Sequence, residues 1–248
     1  MKNPSAHDFA DARYAGMLVA LGVMAIWAMC LSTLLSLNIA ELPLWLVMPA
    51  VLAQTFLYTG LFITAHDGMH GLIAPRHKRV NDWIGALCVF GYALFSFARL
   101  KHEHRKHHAH PGSADDPDYH ESEHSGFWRW YFHFMRTYIT WRQLVGMALA
   151  FNLLQHGLRL AQMNLLLFWV APSLLSTLQL FYFGTYLPHR EPKSGYRDQH
   201  RAESNDYSVL WSFLTCYHFG YHWEHHAYPH VPWWKLPALR NNLKRRAG

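Results

Sequence analysis

The sequence predicts an all-α integral membrane protein: four transmembrane helices in two hairpins, interfacial helices beside them, and a histidine-rich cap on one face. Three observations carry that expectation. Residues 15–37, 44–65 and 164–188 contain no Asp, Glu, Lys or Arg, and each is long enough for a helix to cross a hydrocarbon core of about 30 Å. The chain carries a formal charge of +6 from 22 Lys and Arg. If the apolar helices pair as hairpins, every Lys and Arg except Arg159 falls on one side, which is the positive-inside pattern. The 20 histidines concentrate in short clusters between and after the apolar blocks. These clusters also explain the mean hydropathy of −0.08: they dilute an apolar share of 51%.

Taken in order, residues 15–37 are too long for a signal-peptide core. Asp8 and Asp11 precede them and no small-residue cleavage site follows, so they read as a retained span. Residues 44–65 form the second span, across a loop that holds Glu41 and no basic residue. Residues 83–98 are apolar but short. A lone crossing there would strand one histidine cluster on the wrong side, so an interfacial or re-entrant helix is expected. Residues 127–141 interleave aromatics with Arg129 and Arg136, a composition suited to the headgroup level. An RNA-stacking surface would also use aromatics, but no nucleic-acid motif accompanies them, and no nucleic-acid partner is expected. Residues 144–156 and 164–188 make the second hairpin, in which Pro172 is tolerated as it is in membrane helices generally. Lys244, Arg245 and Arg246 face anionic lipid headgroups. Both termini and all the clusters then lie on the cytoplasmic side of the inner, cytoplasmic membrane. No low-complexity linker divides the chain, so residues 1–248 are read as one domain. Cys30, Cys88 and Cys216 form no C-x-x-C, which excludes a zinc ribbon and gives no disulfide framework.

The histidines carry the chemistry. His104, His107 and His108 spell H-x-x-H-H, and His222, His225 and His226 repeat it; His66 and His70 end H-D-G-M-H. On a helix, positions i, i+3 and i+4 share a face, so each triplet is expected to offer two or three ring nitrogens to one point. Neutral imidazole is the commonest side-chain metal ligand. With His189 the candidate ligands number nine: His66, His70, His104, His107, His108, His189, His222, His225 and His226. That is too many for one ion and fits two. Spacing alone barely supports His189, which stands by itself. His102, His110, His218 and His230 flank the clusters as spare ligands or outer supports. Ligand imidazoles usually donate their other N–H to a carboxylate or carbonyl. Asp67, Glu103, Asp115, Asp116, Asp118 and Glu224 are near enough in sequence, although Asp115–Asp118 around Pro117 reads equally well as a turn. Asp118 is taken as the candidate catalytic carboxylate. His7, His77, His120, His124, His133, His156 and His200 read as solvated surface residues. A hydrolytic zinc site needs about three ligands, and soluble di-iron bundles use Glu-x-x-His. An imidazole-rich pair of irons that activates dioxygen fits better, and its place at a bilayer surface implies a lipid-soluble substrate.

These motifs, in this order, resemble the membrane fatty acid desaturase and hydroxylase superfamily. Longer strings narrow the likeness: I-T-A-H-D-G-M-H-G at 63–71, F-G-T-Y-L-P-H-R at 183–190, and Y-H-F-G-Y-H-W-E-H-H-A-Y-P-H-V-P-W-W-K-L-P at 217–237. With residues 104–118 they are similar to the bacterial β-carotene ketolases over nearly the whole chain. The resemblance implies two non-haem irons, dioxygen as co-substrate, and a ligand at the position of His189. His218 is either a tenth ligand or an outer support. It also implies a carotenoid substrate oxidised at ring carbon 4, and an external, ferredoxin-like electron donor, since no flavin, haem or ferredoxin motif is visible. A fatty acid desaturase or a carotenoid 3-hydroxylase shares the histidine motifs, and only the longer strings argue against them. A metal transporter would carry ionisable residues within its spans, and residues 15–37 and 44–65 carry none.

Overall fold

The computed structural model describes residues 14–119 and 126–247, and all regular structure among them is helical. His7, His120 and His124 lie outside the described residues. The helices are α1 (Ala15–Ser36), α2 (Leu44–Met69), α3 (Lys78–Ala93), α4 (Phe97–Ala109), α5 (Phe127–Tyr138) and α6 (Trp141–Asn152, continued by a π turn over Leu153–Gly157). A long helix, α7 (Gln162–His189), is followed by α8 (Val209–Cys216), α9 (His222–Ala227) and α10 (Leu236–Ala247). Three of them, α1, α2 and α7, are long and apolar enough to cross a membrane.

Their surfaces agree with a lipid surround. Helix α1 buries only Gly16, Ala20 and Leu34 and exposes Leu18, Leu21, Ile26 and Met29. An apolar helix that water could not tolerate on so many sides is suited to hydrocarbon. Helix α2 is the central post, packed against α1, α3 and α7. Its first turns expose Leu44, Trp45 and Met48, whereas Thr55 and most of the residues from Tyr58 to Met69 are buried. Helix α6 buries nothing and exposes Trp141, Leu144, Val145 and Leu149. With its π turn it reaches 17 residues (12 and 5), the lower end of the roughly 17–25 that a span takes. Three of the four expected spans are therefore long and apolar enough to cross, while α6, expected as part of the fourth, is only at the lower limit of length.

The segment expected to be interfacial or re-entrant is sharply bent, as either a re-entrant loop or a broken span would be. Helices α3 and α4 meet at 101°, across a break where Leu94 adopts a left-handed conformation (φ 57°) and Ser96 caps α4 by accepting the Arg99 N–H. Tyr92 packs edge-on to Tyr58 and Phe62, so α3 descends along α2. Phe97 then lies back against Gly85: a Cβ there would sit 2.4 Å from its ring. Asn81 ties the top together, donating to Gly68 O (2.8 Å) and accepting from Ile73 N (3.2 Å). The end of α2 and the start of α4 are thus brought to one level.

Candidate metal centre

Nine imidazoles converge there in two groups. His66 and His70 at the end of α2, His104 and His108 on α4 and His225 on α9 form the first; His107 on α4, His189 at the end of α7 and His222 and His226 on α9 form the second. Within each group the nitrogens lie within 4.8 Å of one another. Each H-x-x-H-H triplet brings two of its rings to one group, as expected, and gives the third to the other group. His104 and His108, four residues apart, serve the first group and His107 the second; on α9, His222 and His226 serve the second and His225 the first. Helices α4 and α9 face each other across both groups, so a ring displaced by one residue, about 100° on a helix, reaches the other.

The nitrogen contacts suit cations. His70 and His104 Nε2 lie 2.7 Å apart, His108 and His225 Nε2 3.0 Å, His107 and His226 Nε2 3.1 Å, and His189 and His222 Nε2 2.9 Å. A neutral imidazole has one N–H, so a ring of four or five such nitrogens cannot be satisfied by hydrogen bonds alone. His66 Nε2 is buried with no partner among the described residues. In the second group three of the four outer nitrogens are already engaged: His107 Nδ1 with Asp116 (2.9 Å), His189 Nδ1 with the Arg201 carbonyl (2.8 Å), and His222 Nδ1 with the Phe219 carbonyl (3.3 Å); His226 Nδ1 is buried with no partner among the described residues. Donation outward leaves the inner Nε2 as a free lone pair, the tautomer that ligates. Burial first, then the neighbouring imidazoles, hold His222, His225 and His226 well below the usual histidine range and therefore neutral. The donor set fits two imidazole-rich metal sites.

Of the acids expected to support the imidazoles, Asp116 does so, while Asp67 and Glu224 bond other partners. Asp116 accepts from His107 and from the Gly112 and Asp118 backbone N–H groups (2.8 and 2.9 Å). Burial pushes its carboxyl up, but the histidine and the N–H donors prevail and hold it below the usual range. Asp118 accepts the Tyr138 hydroxyl and stands 3.7 Å from His107 Nδ1. Burial, with Asp116 adding to it, raises its carboxyl to about 6 against the pull of His107 and Tyr138. Asp67 instead accepts the Trp233 backbone N–H (3.3 Å). Glu224 accepts from Arg240 (2.5 Å) and Ser204. Among the described residues neither carboxylate bonds an imidazole. His218 lies outside both groups, its ring between those of Tyr221 and Trp233. His102 and His110 are exposed, as are His77, His133 and His156. His200, read as a surface residue, is half-buried with its ring 6.5 Å from that of His226.

An apolar cavity of about 70 Å³ opens on the groups; His66, His104, His107, His222 and Asp118 form one end and Phe62, Phe95, Phe134 and Leu180 line its sides. Sequence reasoning assigned α5 to the headgroup level and missed its inner face. Trp130 and Tyr131 are buried; Trp130 Nε1 donates to the Asp118 carbonyl (2.7 Å), and Tyr138 reaches the Asp118 carboxylate. The exposure of Trp128 and Phe132, four residues apart, opposite the buried Trp130 and Tyr131, is the sign that α5 has two faces. Arg240 and Ser204, which hold α9 through Glu224, were missed because neither belongs to a motif.

Comparison with known proteins agrees with this architecture. The fatty acid desaturase family model matches residues 43–162 and 135–248. A β-carotene ketolase of Paracoccus sp. (strain N81106 / MBIC 01143) is 42% identical over 241 residues, covering 95% of this chain and 97% of the relative. One from Paracoccus sp. (strain PC1) is 41% identical over 230 residues, covering 90% and 93%. A zeaxanthin 4-ketolase of Chlamydomonas reinhardtii is 42% identical over 238 residues, covering 91% of this chain but 53% of the longer algal protein. Likeness of this degree, spread over nearly the full length, places the chain in the fatty acid desaturase family, among its β-carotene ketolases.

Proposed function

We propose that this chain is a β-carotene ketolase, a membrane oxygenase of one domain that holds two irons in its histidine groups and converts carbon 4 and carbon 4′ of the β-ionone rings to ketones. The observation that carries the reading is an imidazole-rich pair of metal groups opening directly on an apolar cavity, in a chain whose relatives are named as ketolases of β-carotene or zeaxanthin. The ligands are His66, His70, His104, His108 and His225 for one iron and His107, His189, His222 and His226 for the other. The bound irons would activate dioxygen, with electrons from an external, ferredoxin-like protein. The chain itself positions the ring: Phe62, Phe95 and Phe134 enclose it and exclude water, and no charged group need touch the hydrocarbon. Asp116 fixes the His107 tautomer. Asp118, at the wall of the cavity, holds or releases a proton beside the reacting carbon. Two successive hydroxylations at one carbon give a geminal diol, which loses water to leave the ketone. Expression in a β-carotene-producing bacterium should yield echinenone first and canthaxanthin later. The two ends of the substrate are equivalent, so the monoketone must leave, turn and re-enter; it accumulates early and then declines. Products hydroxylated at carbon 3, or altered acyl chains alone, would assign the chain to another branch of the family. Purified protein should carry about two irons per chain and little zinc; stoichiometric zinc in active enzyme would overturn the metal assignment.

The same reading places four crossings, with α6 as the short third, in the inner membrane and the metal centre on its cytoplasmic side. Reporter fusions after Asn38 and Arg159 should read as outside, and fusions after Arg76 and His110 as inside. The motive is the concentration of basic residues on one side. A periplasmic reading after His110 would require α3 and α4 to cross.

A further inference from the structure

A second cavity, about 420 Å³, adjoins the first and shares Tyr92, Phe95, Met135 and Thr177 with it. It runs between α6 and α7, from Thr177 along the helix to Leu166, eleven residues or about 16 Å. Its rims are open to lipid: Leu144, Leu166 and Leu174 are exposed, and so is Ala148. The polar side chains in its wall are engaged elsewhere. Gln143 donates to Ala93 O (2.6 Å), Asn152 to Ala148 O (2.8 Å), Ser173 to Val170 O (2.8 Å) and Tyr92 to Ser173 O (3.1 Å). Thr177 is paired with the Leu174 carbonyl and the Tyr131 hydroxyl (both 2.7 Å). What remains is an apolar trough with the aromatic side chains of Tyr92, Phe95, Phe151 and Trp169 in its walls.

We infer that this trough is the binding site for the conjugated polyene chain of the substrate, entered sideways from the bilayer, with Met135 as the movable side chain at the neck. The inference rests on the ketolase reading. The trough shares a wall with the metal-facing cavity, asks for no hydrogen bond, and offers flat rings to a flat, rigid hydrocarbon. The inner cavity alone is smaller than the roughly 150 Å³ that takes benzene, so a methyl-substituted ring enters only if the neck widens. Met135 is unbranched and flexible, and belongs to both cavities. A carotenoid is about as long as the hydrocarbon core is thick, roughly 30 Å. The trough therefore takes about half of it, and the far ring stays in the lipid.

The test fills the trough far from the histidines. Ala148→Trp blocks it from α6, and Leu174→Trp from α7, so the result does not depend on one variant folding. Leu149→Trp is the control, since Leu149 is 66% exposed and absent from the lining. Each full-length protein is purified in detergent with its iron, and both retained β-carotene, read by visible absorbance, and ketone formation are measured. Retained pigment and ketone should fall about tenfold or more in the two trough variants, with Leu149→Trp within about twofold and iron unchanged in all. Wild-type pigment and ketone in either iron-loaded trough variant overturns the inference, as does an equal loss in the control or a trough found to hold only phospholipid acyl chains. A wild-type protein that retains β-carotene, loses it in the trough variants, and forms no ketone leaves the trough standing and removes the ketolase reading.

Discussion

Replacing His225 with alanine should abolish ketone formation while leaving the chain in the membrane. His225 is 3% exposed, and its Nε2 lies 3.0 Å from that of His108 within the five-imidazole group. Losing an outer partner of a metal-binding histidine costs about 10–100-fold; losing the ligating nitrogen itself should cost more than about 100-fold. The apolar faces of α1, α2 and α7 are untouched, so insertion should proceed normally. His222→Ala and His107→Ala should behave alike, the latter also releasing Asp116 from its imidazole partner. His77→Ala changes an exposed ring outside both groups and should be silent. Pigment analysis and iron content on the same membranes check this. Full activity in His225→Ala would mean that the first group is not a metal site.

The parts of this centre that were legible in the sequence are those that one helix determines. Pairs four residues apart on α4 and α9 do share a face, and the uncharged runs do become α1, α2 and α7. The division of each triplet between two groups depends on how α4 and α9 face each other, a tertiary fact that spacing cannot hold. His189 shows the same limit. A single histidine after a long apolar helix has no local signal, and it reaches the second group only because α7 ends at that level.

The acids make the point in reverse. Asp67 and Glu224 are close to histidines in sequence, but a residue one or two places away on a helix points about 100° or 200° elsewhere. Both accordingly face other segments: the backbone before α10, and Arg240. Asp116 lies beyond the end of α4, nine residues from His107, and a turn returns it beneath the ring. The position of the sharp bend before α4 was equally silent, because the left-handed place is filled by Leu94 and not by glycine or asparagine, the residues that usually mark such a place. The inner face of α5 was hidden by composition, since aromatics suit both a membrane interface and a cavity wall.

Replacing Arg240 with leucine should weaken the centre from outside it. Helix α9 spans six residues, too few to hold itself, yet it supplies three of the nine imidazoles. It is fastened through Glu224, whose carboxylate accepts from Arg240 Nη1 (2.5 Å) and Ser204. The other end of the guanidinium donates to the Asn205 carbonyl (2.9 Å) and to Asp206 (2.7 Å), and its face lies 4.7 Å from the Tyr221 ring centroid. The Arg240 and Glu224 side chains are 10% and 6% exposed. The bond to Asp206, whose side chain is 87% exposed, contributes little. Removing one member of a buried pair strands the other charge, at a cost of about 3–5 kcal/mol. Arg240→Leu should therefore lower the melting temperature of the detergent-solubilised protein and its retained iron together. Glu224→Leu in the same chain should restore part of the stability, because a buried pair replaced on both sides by apolar groups is often neutral. An unchanged melting temperature and full iron in Arg240→Leu would show that α9 is held by its packing against the neighbouring helices, and that the ion pair is incidental to the metal centre.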